Sequence, residues 1–157
     1  MIILYVLVVV SSTMFGVVIS SNMKKKSCYF KELIGFLDSY KQNISYLQKP
    51  MKELIEYELS KHKELSITLK SFIENRLDKN AKLELPFYLN TSQKQLIEKT
   101  FYNLGTLDAN SEIDRIEKAR IEIKTEEELS KNTYEKYGSA VVKIGLLLGL
   151  MVVILLL

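Results

Sequence analysis

Cysteine occurs once in this chain of 157 residues, as Cys28. That excludes an intramolecular disulfide and a cysteine zinc cluster, and a reducing compartment suits the middle of the chain. Histidine is equally scarce. His62 stands between Lys61 and Lys63 with no second imidazole or thiol to complete a metal or catalytic constellation, so it reads as a surface residue. Six glycines are scattered over Gly16, Gly35, Gly105, Gly138, Gly145 and Gly149, and none belongs to a GxxxxGK[ST] phosphate loop, which leaves nucleotide binding without a signal. A strong charge of one sign is missing too. The net charge of +3 comes from interleaved Lys and Glu rather than a basic block, which argues against a nucleic-acid surface.

Charge and hydrophobicity are segregated along the chain. Every Asp, Glu, Lys and Arg lies between Lys24 and Lys143. Ile2 to Ser20 is an uncharged run of 19 residues, and at about 1.5 Å per residue a helix of that length crosses most of a hydrocarbon core of about 30 Å. Ser11, Ser12 and Thr13 satisfy their hydroxyls on the helix's own carbonyls. No Lys or Arg precedes the run and no small-x-small site follows it, so a retained anchor is preferred to a cleaved signal peptide. From Gly138 to Leu157 the chain is apolar except for Lys143, which sits near the start of the segment and snorkels to the headgroups. Lys24, Lys25, Lys26 and Lys31 follow the first span, and Lys131, Lys136 and Lys143 surround the entry to the second. That bias places the middle of the chain in the cytoplasm and both termini across the membrane. The expected organisation is an N-terminal transmembrane helix over residues 1–22, a cytoplasmic helical bundle over 23–137 and a C-terminal transmembrane helix over 138–157. The fold class is all-α.

Within the middle, Phe30, Leu33, Leu37, Tyr40, Ile44 and Leu47 recur at spacings of three and four, the stripe of an amphipathic helix continuing from the first span. Lys49-Pro50 ends it. Pro50 suits the first turn of a second helix whose apolar side is Met51, Leu54, Ile55 and Leu59. A third helix carries Leu65, Leu69, Phe72, Ile73 and Leu77, after a weakly marked break near His62. Asn80 to Asn90 holds Pro86 and no helical period. It reads as a loop with Leu83, Leu85 and Phe87 tucked against the bundle. Thr91 or Ser92 caps a fourth helix, with Leu96, Ile97, Phe101 and Leu104 inside and Gly105 as a left-handed C-cap. Asp108, Asn110 and Ser111 offer oxygens to the next N-terminus, and Ser111 with Asp114 approximates a capping box. The last helix runs from about Ser111 into the membrane. Its heptad-like stripe of Ile113, Ile116, Ile123, Tyr134, Tyr137 and Val141 is interrupted by Arg120, Glu127 and Ser130.

Catalysis finds little to work with. Glu53 and Glu56 share a helix but have no visible pocket or orienting partner, and Glu126-Glu127-Glu128 point in different directions beside Lys124 and Lys131, as on a solvated face. We expect no enzyme, no cofactor, no metal and no small-molecule substrate. Gly145 and Gly149 form a GxxxG pattern that permits close helix approach in the second span, with chance as the competing reading. Tyr134 and Tyr137 read as interfacial anchors.

The N-terminal span, the stretch Ile44-Ser45-Tyr46-Leu47-Gln48-Lys49-Pro50-Met51-Lys52-Glu53, the turn Leu104-Gly105-Thr106-Leu107-Asp108 and the terminal Gly145-Leu146-Leu147-Leu148-Gly149-Leu150 together resemble the stage III sporulation protein AB family over nearly the whole chain. The family's Pro-Leu-x-Glu pattern stands here as Pro50, Met51 and Glu53, and its Leu-Gly-x-x-Asp turn as Leu104, Gly105 and Asp108. Glu112 replaces the usual Gln. The resemblance implies a non-catalytic relative of the type II secretion F platform in the mother-cell membrane around the forespore. Such a scaffold would meet a sporulation-channel ATPase and other channel subunits through Pro50, Glu53, Asp108 and Glu112 near inter-helix turns, with self-association left open. For Asp108 a capping role competes equally with partner contact. The alternative is a membrane-tethered coiled-coil regulatory adaptor unrelated to secretion, against which the polar breaks at Arg120, Glu127 and Ser130 count.

Overall fold

The unbroken apolar-to-amphipathic pattern of the first forty residues folds as one helix, and so does the proline-free stretch after Asp108. In the computed structural model, which describes residues 2–47, 49–75 and 82–156, α1 is Ile2–Gln42 and α5 is Ala109–Leu156. Between them lie α2 (Met51–Leu59), α3 (Ser66–Asn75) and α4 (Thr91–Asn103), and a π-helical turn, Asn43–Leu47, closes α1. No strand occurs among the described residues. The expected core position Leu77 and the loop start Asn80 lie outside them.

By packing, the chain divides into two units, Met1–Ser27 with Glu128–Leu157, and Cys28–Glu127. The second is the helical bundle. From α1 it buries Tyr29, Phe30, Leu33, Phe36, Leu37 and Tyr40, the three-and-four spacing of one helix face. Leu54 and Ile55 of α2, Leu69 and Phe72 of α3, Ile97 and Phe101 of α4, and Ile116 and Ile123 of α5 complete the core. Phe101 is central, stacked on Phe36 at 5.7 Å between ring centroids and meeting the edge of Phe72 at 5.1 Å. Ile44 is half-buried and Leu47 exposed, because the stripe leaves the core where α1 turns π-helical.

Long-range side chains replace local caps at several helix ends. The Glu32 carboxylate of α1 accepts the backbone N–H groups of Lys63, Glu64 and Leu65 at 3.3, 2.9 and 2.9 Å, holding the turn that leads into α3. Asn43, buried, accepts from Lys49 N–H at 3.0 Å and donates to Lys49 C=O at 2.9 Å, which closes the α1–α2 turn. The α3–α4 loop is strapped down in the same way. Thr68 donates to Glu84 C=O at 3.1 Å, Ser71 accepts from Glu84 N–H at 3.0 Å, and Tyr88 donates to Glu64 at 2.9 Å. With those backbone groups satisfied, Leu83 and Leu89 enter the core.

Several sequence expectations are corrected. Phe87 does not tuck in and is 79% exposed. Asn90, not Thr91 or Ser92, caps α4 through a reciprocal capping box with Gln93. At α5 the cap is the Asp108 carboxylate, accepting from Ser111 N–H at 3.2 Å, and the helix begins at Ala109 ahead of the expected Ser111–Asp114 box. His62 is not a free surface residue, since its Nε2 lies 2.8 Å from the buried Glu58 carboxylate. Glu126 leaves the solvated face by accepting from Gln93 Nε2 at 2.6 Å. Arg120, read as a flaw in an apolar seam, pairs with Asp38 of α1 at 2.7 Å.

The other unit pairs the two apolar ends. Their most apolar 18-residue stretches are only 6% and 11% buried, so neither is the core helix of a water-soluble fold, and both are long and apolar enough to cross a membrane. Small residues bring them together. A Cβ at Gly145 would meet Ser12 O at 2.8 Å, one at Gly149 would meet Val9 Cα at 2.9 Å, and one at Gly16 would meet Val141 O at 2.9 Å. Ser12 Oγ adds a hydrogen bond to Gly145 C=O at 2.5 Å.

Candidate functional site

The residues singled out by the sequence fall at three places. Gly145 and Gly149 are buried against α1 in the helix pair just described. Tyr134 is half-buried and Tyr137 exposed. Pro50, Glu53, Asp108 and Glu112 all belong to the bundle, around the α1–α2 and α4–α5 turns. Contacts between the end of α1 and the start of α5 put those turns at one end. Tyr40 Oη lies 3.4 Å from Glu112, and Lys41 pairs with Glu117.

Pro50 immediately precedes α2 with φ −54° and ψ 138°, its ring preset for the chain entering the helix. Pro50 and Glu53 are exposed. Asp108 is exposed as well, and its hydrogen bonds with Ser111 hold its carboxyl below the ordinary aspartate value. Glu112 differs. It is 2% exposed and one carboxylate serves three partners: Gly105 N–H at 2.8 Å, the Arg115 guanidinium, and Tyr40 Oη. Arg115 also donates to Asn103 C=O and to Thr106 Oγ1, so the pair pins the end of α4 to the start of α5. Gly105 sits inside that knot at φ 75°, a left-handed conformation that glycine adopts without a Cβ penalty. Glu112 is thus a structural carboxylate, not a group presented to a partner.

Sequence reasoning passed over Tyr46 and Leu107 on this end and placed Leu47 on the buried stripe. Tyr46 is 84% exposed, with Leu47 and Leu107 also largely in the open. They surround Pro50, Glu53 and Asp108 in sequence on the two turns, and their only signal in the sequence was apolar residues placed where turns are usually polar. Beside the same end, Leu96, Thr100, Leu104, Ile116 and Ala119 floor a cleft of about 190 Å³ between α4 and α5, with Lys99 and Lys118 on opposite rims. That volume is below the usual range for small-molecule sites. Among the described residues no three His, Cys, Asp or Glu side chains gather as a metal site.

Fold and surface define a class: an all-helical protein whose bundle is joined to two apolar helices long enough to span a membrane, with its exposed features at turns rather than in a pocket. The family model for stage III sporulation protein AB matches residues 1–86 and 58–157, and the chain belongs to that family. It is a sporulation-related protein. No curated protein and no solved structure matches it.

Proposed function

We propose that this chain is a membrane platform subunit of the mother-cell-to-forespore channel complex, non-catalytic, with its bundle in the cytoplasm and a channel ATPase docking on the turn-bearing end of that bundle. The observation that carries the reading is the pairing of exposed Tyr46, Leu47 and Leu107 with exposed Pro50, Glu53 and Asp108 on two turns at one end. Large apolar side chains held in the open beside acidic groups are the composition of a docking surface. Family membership supplies the sporulation setting. The excess of lysine beside both apolar helices supports the cytoplasmic assignment.

The adaptor reading loses its main feature. Ile116 and Ile123, the centre of the supposed coiled-coil seam, lie in the bundle's own core, and Arg120 is paired to α1. The centre of the seam is already covered.

The test is co-purification from sporulating cells in mild detergent, comparing the native chain with a Tyr46→Ser, Leu47→Ser variant and with Glu53→Ala. Recovery of an ATPase and channel subunits with the native chain, reduced by these exposed substitutions, is the expected result. Recovery of this chain alone would sink the proposal. Resistance of the native chain to alkaline carbonate extraction tests the spans separately.

A further inference from the structure

The lysines after the first apolar stretch and those before the second lie on one level of a single helix pair. Close approaches fix its antiparallel register: Gly138 beside Ser20, Gly16 beside Val141 and Val142, Gly145 beside Ser12, and Gly149 beside Val9. Both helices continue unbroken beyond the Ser20–Gly138 contact. One to two turns further, Lys24, Lys25 and Lys26 come level with α5 at about residues 132–134, between Lys131 and Lys136. Five ammonium groups therefore occupy a band about 8 Å high at about 1.5 Å per residue. The carboxylates on these segments are Glu128 and Glu135, and Glu135 lies 4.0 Å from Lys131. None of Lys24, Lys25 and Lys26 is in an ion pair among the described residues, and Lys24 and Lys25 are exposed.

We propose that this band binds anionic lipid headgroups, an inference that rests on reading the apolar ends as membrane spans. Consecutive lysines on a helix point about 100° apart, so Lys24 to Lys26 fan around α1 instead of facing one side, as suits a ring of headgroups. Next to the band, on the apolar side, Val17, Val18, Ile19, Ile144 and Leu147 point outward. A lipid is held there by its acyl chains while its phosphate meets the ammonium groups, an arrangement that a free phosphate lacks. A zwitterionic headgroup brings its own cation and gains little from the band. Tyr137, whose ring centroid is 5.2 Å from Lys136 Nζ, sits at the same level with the amphipathic character of interfacial aromatics.

The test uses the full chain in a neutral maltoside detergent, titrated with phosphatidylglycerol or phosphatidylcholine, with bound lipid read by native mass spectrometry. Phosphatidylglycerol should be retained at least about tenfold better at low salt, and the preference should shrink at high salt as the surface charge is screened. Lys24→Gln, Lys25→Gln, Lys26→Gln should abolish the preference, and Lys131→Gln, Lys136→Gln should weaken it, with helicity by circular dichroism unchanged in both. Equal retention of the two lipids by the native chain, or a preference that survives the triple substitution, would overturn the proposal. So would displacement of the lipid by inorganic phosphate at the same concentration, the mark of a free-phosphate site. Carbonate resistance of the native chain keeps such a failure distinct from failure of the spans.

Discussion

Removing the Glu112 carboxylate would take the acceptor from Gly105 N–H and the counter-charge from the Arg115 guanidinium at a buried position. Breaking a buried charge pair from one side costs about 3–5 kcal/mol. Glu112→Ala should therefore lower the Tm of the full chain in detergent by about 6–20 °C, whereas Glu53→Ala, on an exposed face, should leave it within about 2 °C. Glu112→Gln retains an acceptor and should fall between the two. One ion pair and one buried hydroxyl give the chain a dependence on pH. Lys41 holds the Glu117 carboxyl below its ordinary value of 4.5, so its contribution is present above that pH and is lost as the pH falls through the lower folded value. At the other extreme, burial drives the Tyr29 hydroxyl above its ordinary 10.0. The unfolded chain then ionises first, and stability should decline as the pH rises past about 10. Thermal melts between pH 8 and 11 should show that decline, and Tyr29→Phe should flatten it at the expense of the Thr68 hydrogen bond.

At the scale of elements, Glu32 caps a turn more than thirty residues away, and its loss strands three backbone N–H groups. Glu32→Ala should cost about 1–3 kcal/mol and speed amide exchange at Lys63 to Leu65 more than in α4, a pattern visible by hydrogen-exchange mass spectrometry. Such caps explain which parts of the fold were legible in the sequence. The helices, the α2 start at Pro50 and the left-handed Gly105 follow from local rules, since spacing, proline and glycine act within one or two turns. Asn90 with Gln93 was a local signal too, hidden by the neighbouring Thr91 and Ser92. Glu32 reaches more than thirty residues to a turn it meets only in the folded bundle. The Glu58–His62 pair, four residues apart, was a local signal hidden by reading His62 as a surface residue, and Asn43 reaches only six residues to Lys49. The acidic site residues were legible as turn residues, but the burial of Glu112 was not, because nothing local announces that Arg115 and Tyr40 converge on it. Exposed Tyr46 and Leu107 were missed because neither falls on a helical stripe, and Leu47 was placed on the core stripe because periodicity carries no sign that α1 ends in a π-helical turn.

For the whole molecule the apolar ends carry a prediction of their own. In lipid, helix pairing gains nothing from the hydrophobic effect and depends on close backbone approach. Gly145 and Gly149 provide that approach, and an added Cβ at either would lie under 3.0 Å from the backbone of α1. Gly145→Val with Gly149→Val should therefore separate the helices, while Leu147→Val, on an exposed position of the same helix, should not. Disulfide cross-linking between cysteines placed at Ser20 and Gly138, in a Cys28→Ser background, reports the pairing directly. A strong cross-link in the parent and the Leu147 control, with loss in the double glycine variant, is the expected outcome. Equal cross-linking in all three would mean that the pair does not depend on these glycines. If pairing fails while ATPase recovery persists, the bundle's turns dock the partner without help from the spans. If both fail together, the proposed docking requires the two apolar helices held side by side, and the GxxxG of the second contributes to it.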